Sequence, residues 1–192
     1  MTRLADHWID PQFLSRWSAR ALRPGLTEAE LLRCLEAARW APSSSNTQPW
    51  RYVAALAGEP GFAAMLAGLV PFNQAWAQHA GALVVACSLT ESVPTPTHPS
   101  KPLPGSAFDA GAAWMSLALQ AHAMGLVAHA MGGFEREPLT AALRIPAGVR
   151  IDCVIALGHP GNAADLPESL REREEPNGRR PLTELLHRGT WG

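Results

Sequence analysis

Residues 81–89, Gly-Ala-Leu-Val-Val-Ala-Cys-Ser-Leu, decide the fold class of this chain. The run is too continuously apolar for a strand with one wet face, and it suits a strand covered on both faces, central in its sheet. Upstream, Trp50–Leu56 reads as a second strand, separated from the first by short helical segments around Pro60–Leu69 and Pro71–Gln78. Downstream, Ser106–Met124 is the longest helical signal, with Ser106 and Asp109 as a capping pair and Gly125 as its stop. Leu126–Met131 and Arg150–Leu157 supply two further strands, with a helix over Glu135–Leu143 between them. Strands alternating with helices indicate an α/β or α+β layer fold with the long helix packed across the sheet.

The N-terminal third reads as a helix over Asp10–Trp17 and a second over Thr27–Trp40. Thr27 and Glu30 form a capping box, Leu26 and Leu31 occupy the staple positions, and Leu31, Leu35 and Ala38 mark the buried stripe. Pro42 ends that helix, so Ser43, Ser44, Ser45 and Asn46 fall on a stiffened loop within Ala-Pro-Ser-Ser-Ser-Asn-Thr-Gln-Pro-Trp, residues 41–50. Such a loop either satisfies its own backbone or presents polar side chains to a ligand. Ala110, Gly111, Ala112 and Ala113 leave the first turns of the long helix nearly bare, which permits close approach by another backbone or a flat ring. Between Val93 and Gly105 five prolines in thirteen residues exclude regular structure.

Composition bounds the function classes. The 192 residues, 47% hydrophobic with a formal charge of -1, describe one globular core without the basic excess of a nucleic-acid binder. Cys34, Cys87 and Cys153 stand in apolar contexts without Cys-x-x-Cys spacing and read as buried reduced thiols, pointing to the cytoplasm. Met1–Asp10 lacks the apolar core of a signal peptide, and the longest apolar run is too short for a bilayer span. The histidines show no metal-ligand spacing; His122 and His129 read as structural.

Four segments in order resemble the nitroreductase family of FMN-dependent flavoproteins: Arg16-Trp17-Ser18-Ala19-Arg20, the Pro42-Ser43-Ser44-Ser45-Asn46 loop, Met131-Gly132-Gly133-Phe134 and Arg179-Arg180-Pro181-Leu182. They span residues 16 to 182, nearly the whole chain. The resemblance implies an α+β fold with a central mixed, mostly antiparallel sheet flanked by helices, a single domain over residues 1–192, and a domain-swapped tail at 165–192 reaching a partner subunit. It implies a homodimer with FMN at the interface and a catalytic cycle in which NAD(P)H gives hydride to flavin N5, after which a nitroaromatic, quinone or similar acceptor enters by a ping-pong route.

The resemblance assigns FMN contacts to Arg16, Trp17, Ser18, Arg20 and Arg179 at the phosphate and part of the ring. Pro42, Ser43, Ser44 and Asn46 would reach the ring and ribityl chain from the other subunit, Asn73 the pyrimidine edge, and Met131, Gly132 and Gly133 the region of N5. Forked arginine donors suit phosphate oxygens, although Arg16 and Arg20, four apart, read by themselves equally as one solvated helix face. Trp76 stands where many relatives have a lysine, leaving Arg20 to stabilise negative charge on the reduced ring. Phe72, Trp76, Phe108 and Trp114 are candidates for the apolar wall of the substrate pocket, or simply for the core. No metal is expected, and no acid/base dyad is required because the cofactor carries the chemistry. Two other readings stay open: a different flavin reaction on the same fold, and a flavin-binding dimer that senses without turnover. The tail has a charged stretch, Arg171–Glu175, that reads as solvated, and a short helix over Leu182–His187 with apolar anchors at Leu182, Leu185 and Leu186.

Overall fold

A computed structural model describes residues 3–97 and 99–191; Met1, Thr2, His98 of the proline-rich loop and Gly192 lie outside the described residues. The elements run α1 (Gln12–Ser15), β1 (Leu22–Arg23), α2 (Glu28–Arg39), β2 (Trp50–Leu56), α3 (Pro60–Ala67), α4 (Pro71–Ala77), β3 (Ala82–Leu89), α5 (Ser106–Ala123), β4 (Val127–Met131), α6 (Arg136–Ala142), β5 (Val149–Pro160) and α7 (Glu168–Arg171).

The apolar run 81–89 forms β3, and its residues Ala82 to Ser88 are all buried. It pairs antiparallel with β2 on one side, Trp50↔Ser88 to Leu56↔Ala82, and with β5 on the other, Ala82↔Leu157 to Leu89↔Val149, across a bulge at Ala86/Cys87. β4 pairs the far side of the sheet order through β5, and β1 pairs the end of β5 at Leu22↔Pro160. Every one of these pairings is antiparallel.

Because strand side chains alternate, β3 feeds two cores. Leu83, Val85 and Cys87 pack with Phe62 and Met65 of α3, Trp76 of α4 and Leu139 of α6. Ala82, Val84 and Ala86 pack with Leu31, Cys34 and Ala38 of α2 and with Ala113, Leu117 and Ala121 of α5. Both faces are therefore dry, and truncating one such side chain, Leu83→Ala for instance, costs about 2–5 kcal/mol. α2 starts as its sequence dictates: Thr27 and Glu30 make the full capping box, with Thr27 N–H to Glu30 Oε2 at 2.8 Å. Gly125 stops α5 in the left-handed region at φ 72°.

Several expectations are corrected. The first helix is only four residues long, because Arg3 takes the Leu14 and Arg16 carbonyls at 2.7 Å each and the chain turns extended at Arg16, φ -65° and ψ 128°. Ser106 does not cap α5: its N-cap is Gly105 without a side-chain bond, and Ser106 and Asp109 are both buried. The segment 171–175 is not wholly solvated, since the Glu174 side chain is 3% exposed. Leu182–Glu184 forms one 3-10 turn in place of the longer helix. The tail lies against its own chain through buried Leu166 and Leu170 and through Leu182 N–H donating to Asp6 at 2.7 Å. No described helix is long and apolar enough to cross a membrane.

Candidate functional site

The extended segment after α1 carries Arg16, Trp17, Ser18 and Arg20 into a cavity of about 560 Å³. Both chain ends close it: Arg3 from one side, and Arg173, Glu175, Pro176, Asn177 and Arg179 from the other. Arg16 and Arg20 thus do not share a helix face, and the solvated-helix alternative falls. Arg3 fastens the ends together, giving its Nε to the Asn177 carbonyl at 2.9 Å. Arg179 is held by the Asn177 side-chain oxygen at 3.1 Å and by the Gly178 carbonyl at 2.9 Å.

The electrostatics of this cavity are unbalanced. Burial first, then the charges of Arg3 and Arg179, lower the pKa of the Arg16 guanidinium. Arg16 Nε and Arg20 Nε are buried and have no hydrogen-bond partner. Buried, unpaired N–H groups on cations are costly in a folded protein, and an anion with several oxygens is the ligand that would satisfy them.

β4, whose His129 lines the cavity, ends at Met131 and is followed by Gly132 and Gly133. Met131 is buried, Gly132 is exposed and would hold a Cβ in open space, and Gly133 is packed so tightly that a Cβ would stand 2.7 Å from Asn73 Nδ2. Asn73 donates that amide N–H to the Gly133 carbonyl at 2.9 Å, and Val70 N–H meets the same oxygen at 3.2 Å. Asn73 therefore ties α4 to the glycine turn. Phe72, next to it, is 46% exposed and lies 5.8 Å from the Arg173 guanidinium.

Trp76 is not on any wall. It is fully buried in the core, with its ring 4.6 Å from that of His129, so a ligand has no access to it. Its place in the helix explains this: Phe72 and Trp76 share a side four residues apart, but α4 turns its C-terminal end inward at Trp76 and Ala77. His129, which lines the cavity, holds Ala19 by a 3.1 Å contact from Nδ1 to the carbonyl oxygen, so the Trp76–His129 column supports the segment carrying Arg20. Desolvation lowers the His129 pKa to about 4, leaving the ring neutral. His122 is likewise satisfied, 2.7 Å from Ser15 Oγ.

The serine loop stands apart. Ser43 leads into a 3-10 turn, Ser44–Asn46, in which Ser45 (φ 51°) and Asn46 (φ 54°) are left-handed, as is Gln48 (φ 47°) just beyond. Non-glycine residues in that region store backbone strain. Ser44 N–H donates to the buried Asp109 carboxylate at 3.2 Å, which anchors the loop to α5. Ser44 and Asn46 are exposed, as is Pro42, and none of the loop residues lines the arginine cavity. Phe108, 84% exposed on the same end of α5, is available to a ligand or a partner, whereas Trp114 is half-buried against the core.

The sequence reading missed Arg3, Arg173, Glu174 and the anchoring role of Asp109. Asp109 had a visible signal, a carboxylate in a helix first turn, but it was assigned to capping. The bonds by which Arg3 reaches Asn177 and Glu174 reaches Arg20 span 174 and 154 residues, and no local pattern carries that information.

The chain is 38% identical over 129 residues to an uncharacterized 15.4 kDa protein of Mycolicibacterium smegmatis, covering 66% of this chain and 82% of that one. It is 26% identical over 170 residues, 86% of this chain and 88% of the other, to an Archaeoglobus fulgidus protein named "Putative NADH dehydrogenase/NAD(P)H nitroreductase". A crystal structure described as an oxidoreductase containing FMN superposes with a TM-score of 0.94 at 38% identity, over 99% of this chain and 96% of that one. The model of the nitroreductase family matches residues 14–159, well over half of the chain, and the protein is a member of that family.

Proposed function

We propose that the protein is an FMN-dependent oxidoreductase that takes hydride from NAD(P)H and passes the electrons to a nitroaromatic, a quinone or a similar small acceptor, by a ping-pong route. The observation that carries the reading is the pair of buried guanidinium nitrogens, Arg16 Nε and Arg20 Nε, left without hydrogen-bond partners in a cavity also lined by the donors Arg3, Ser18, Arg173, Asn177 and Arg179. At about 560 Å³ that cavity is within the range of small-molecule sites, and its donor set fits a phosphate with a polyhydroxyl chain. Family membership and the FMN-containing structural relative support the same cofactor.

Bound FMN supplies the redox chemistry: it accepts two electrons and a proton as hydride and returns them to the second substrate. The chain's own residues do the rest. Arg16, Ser18 and Arg179 would hold the phosphate and fix the orientation of the ring, each charge-assisted bond being worth about 1.5–3 kcal/mol. Arg20 would stabilise negative charge at the pyrimidine side. Gly132, open on its outer side, lets a ring approach the backbone N–H groups of the turn closely. Phe72 and Phe108, both exposed, are the remaining wall candidates.

We assign the active form as a homodimer. The serine loop and the arginine cavity do not meet within one chain, and the reading that unites them puts Pro42, Ser43, Ser44 and Asn46 over the ring bound by the partner's cavity. The tail past Leu182 offers exposed Leu185, Leu186 and Trp191. An apolar groove of about 1010 Å³ beside β2, lined by Leu32, Leu35, Trp40, Trp50 and Tyr52, is of a size and character to receive it. We place the protein in the cytoplasm, where its thiols stay reduced; burial raises the pKa of Cys34 to about 11, Cys87 to about 11 and Cys153 to about 12.

The test is the visible spectrum of freshly purified protein. A flavin spectrum that bleaches anaerobically with NAD(P)H and recovers with a nitroaromatic or quinone is expected. Colourless protein that takes up no added FMN refutes the cofactor, and bound flavin that NAD(P)H cannot reduce refutes the enzyme.

A further inference from the structure

Glu174 lies behind Arg20 and meets the chain in an asymmetric way. Its Oε1 accepts two backbone N–H groups, those of Arg20 and Ala21, at 2.7 Å each. Its Oε2 stands 3.7 Å from Arg20 Nη1, too long for a good hydrogen bond, and has no hydrogen-bond partner of its own. The carboxylate is almost entirely enclosed, 3% exposed, while the Arg20 side chain at 18% still reaches the cavity. One oxygen therefore clamps the main chain, and the other sets a buried negative charge against the guanidinium without engaging its donors.

We propose that Glu174 is a positioning residue that aims Arg20 into the flavin site and damps its charge, so that the bound flavin is a stronger reductant than an unopposed arginine would make it. The inference rests on the FMN reading above. Uptake of two electrons and one proton leaves the ring with one additional negative charge, which a bare cation would stabilise and so raise the reduction potential. A buried carboxylate on the far side of that cation offsets part of the stabilisation. The reduced ring then gives its electrons up more readily to the second substrate. The two backbone bonds fix the carboxylate against the main chain of Arg20, so its distance from the base of that side chain is set by the fold.

Glu174→Gln separates the two jobs, since the amide oxygen still accepts both backbone N–H groups while the charge is gone. The expected result is normal FMN stoichiometry and a ratio of reduced to oxidised FMN affinity about tenfold higher, a rise of about 30 mV in the two-electron midpoint potential measured against reference dyes. In an Arg20→Gln background the same substitution shifts the potential much less. Glu174→Asp keeps the charge but is too short for both bonds, so the melting temperature of the apoprotein falls while the potential moves little. An E174Q potential equal to wild type, or an equal shift with and without Arg20, overturns the proposal. If E174Q does not fold, the Arg20→Gln protein alone decides: its potential must drop below wild type because the cation that stabilises the reduced ring is gone, and an unchanged potential overturns the proposal. Wild-type protein that binds no FMN removes the earlier reading first, and this one with it.

Discussion

His129 offers a quantitative handle on the interior that supports the site. Desolvation holds its pKa at about 4, against an ordinary value of 6.5, with the Ala19 carbonyl opposing the shift only in part. The unfolded chain therefore binds more protons than the native one between those values, and stability rises with pH across that window. The contribution is complete above about pH 6.5 and is lost as the pH falls toward about 4. Integrating the linkage relation from pH 7 to pH 5 gives a loss of about 2 kcal/mol from this one group. For a domain of this length that corresponds to about 4–8 °C in melting temperature.

The control is His129→Asn, whose amide can still donate to Ala19 but does not titrate. It sacrifices the ring contact with Trp76, 4.6 Å between centroids, so it melts lower at every pH. The informative quantity is the slope. Wild type should lose about 2 kcal/mol more than the variant between pH 7 and pH 5, the other histidines cancelling in the difference. Parallel pH profiles for the two proteins would refute the neutral, desolvated ring, and so would an imidazole NMR titration with its midpoint near 6.5.

Three other outcomes are expected. Arg16→Ala with Arg20→Ala leaves the far-ultraviolet circular dichroism unchanged and lowers the flavin-to-protein ratio at least about tenfold, since two charge-assisted bonds are lost; unchanged flavin content would return both residues to a solvent role. Trp76→Phe shifts stability by no more than about 1–1.5 kcal/mol because its Nε1 already lacks a partner, whereas Trp76→Lys buries a charge in the core and costs more than about 3 kcal/mol in urea unfolding. A stable Trp76→Lys protein would put that side chain at the surface. Gly133→Ala forces a Cβ to 2.7 Å from Asn73 Nδ2 and 2.9 Å from Val70 Cγ2, costing about 1–3 kcal/mol and loosening the turn, read as a lower melting temperature and weaker FMN retention.

What the sequence disclosed, and what it hid, follows the range of the interactions involved. β3 was legible because burial on both faces leaves no polar alternation, and α2 because Thr27 and Glu30 interact across a single turn. Trp50–Leu56 matched its strand residue for residue for the same local reason. Arg16 and Arg20 were read as a pair of cations, but the helix that would have aligned them stops at Ser15, where a guanidinium from residue 3 takes the carbonyls of Leu14 and Arg16. Trp76 failed for a related reason: spacing relates it to Phe72, yet only the position of β4 decides which of the two faces the core. Asp109 carried a real signal with two possible partners, its own helix or a distant loop, and the distant one won.

The failure at Arg16 and Arg20 lies where the two chain ends meet. The atoms that enclose the arginine cavity are the ones that bring the chain ends together: Arg3 to Asn177, Leu182 to Asp6, and Arg20 and Ala21 to Glu174. Closing such long loops carries an entropic cost that local structure does not offset, and few apolar contacts assist it, since Leu166 and Leu170 are the buried anchors of the C-terminal segment. A ligand that binds only the closed arrangement adds its binding free energy to it. The glycine turn differs, for Met131 is paired to Val154 within the sheet and needs no ligand to stay in place. On the proposed FMN reading, the ring would lie against a turn built into β4 and the phosphate against a cavity built from both termini, and the second half would gain stability from the anion that Arg16 and Arg20 hold.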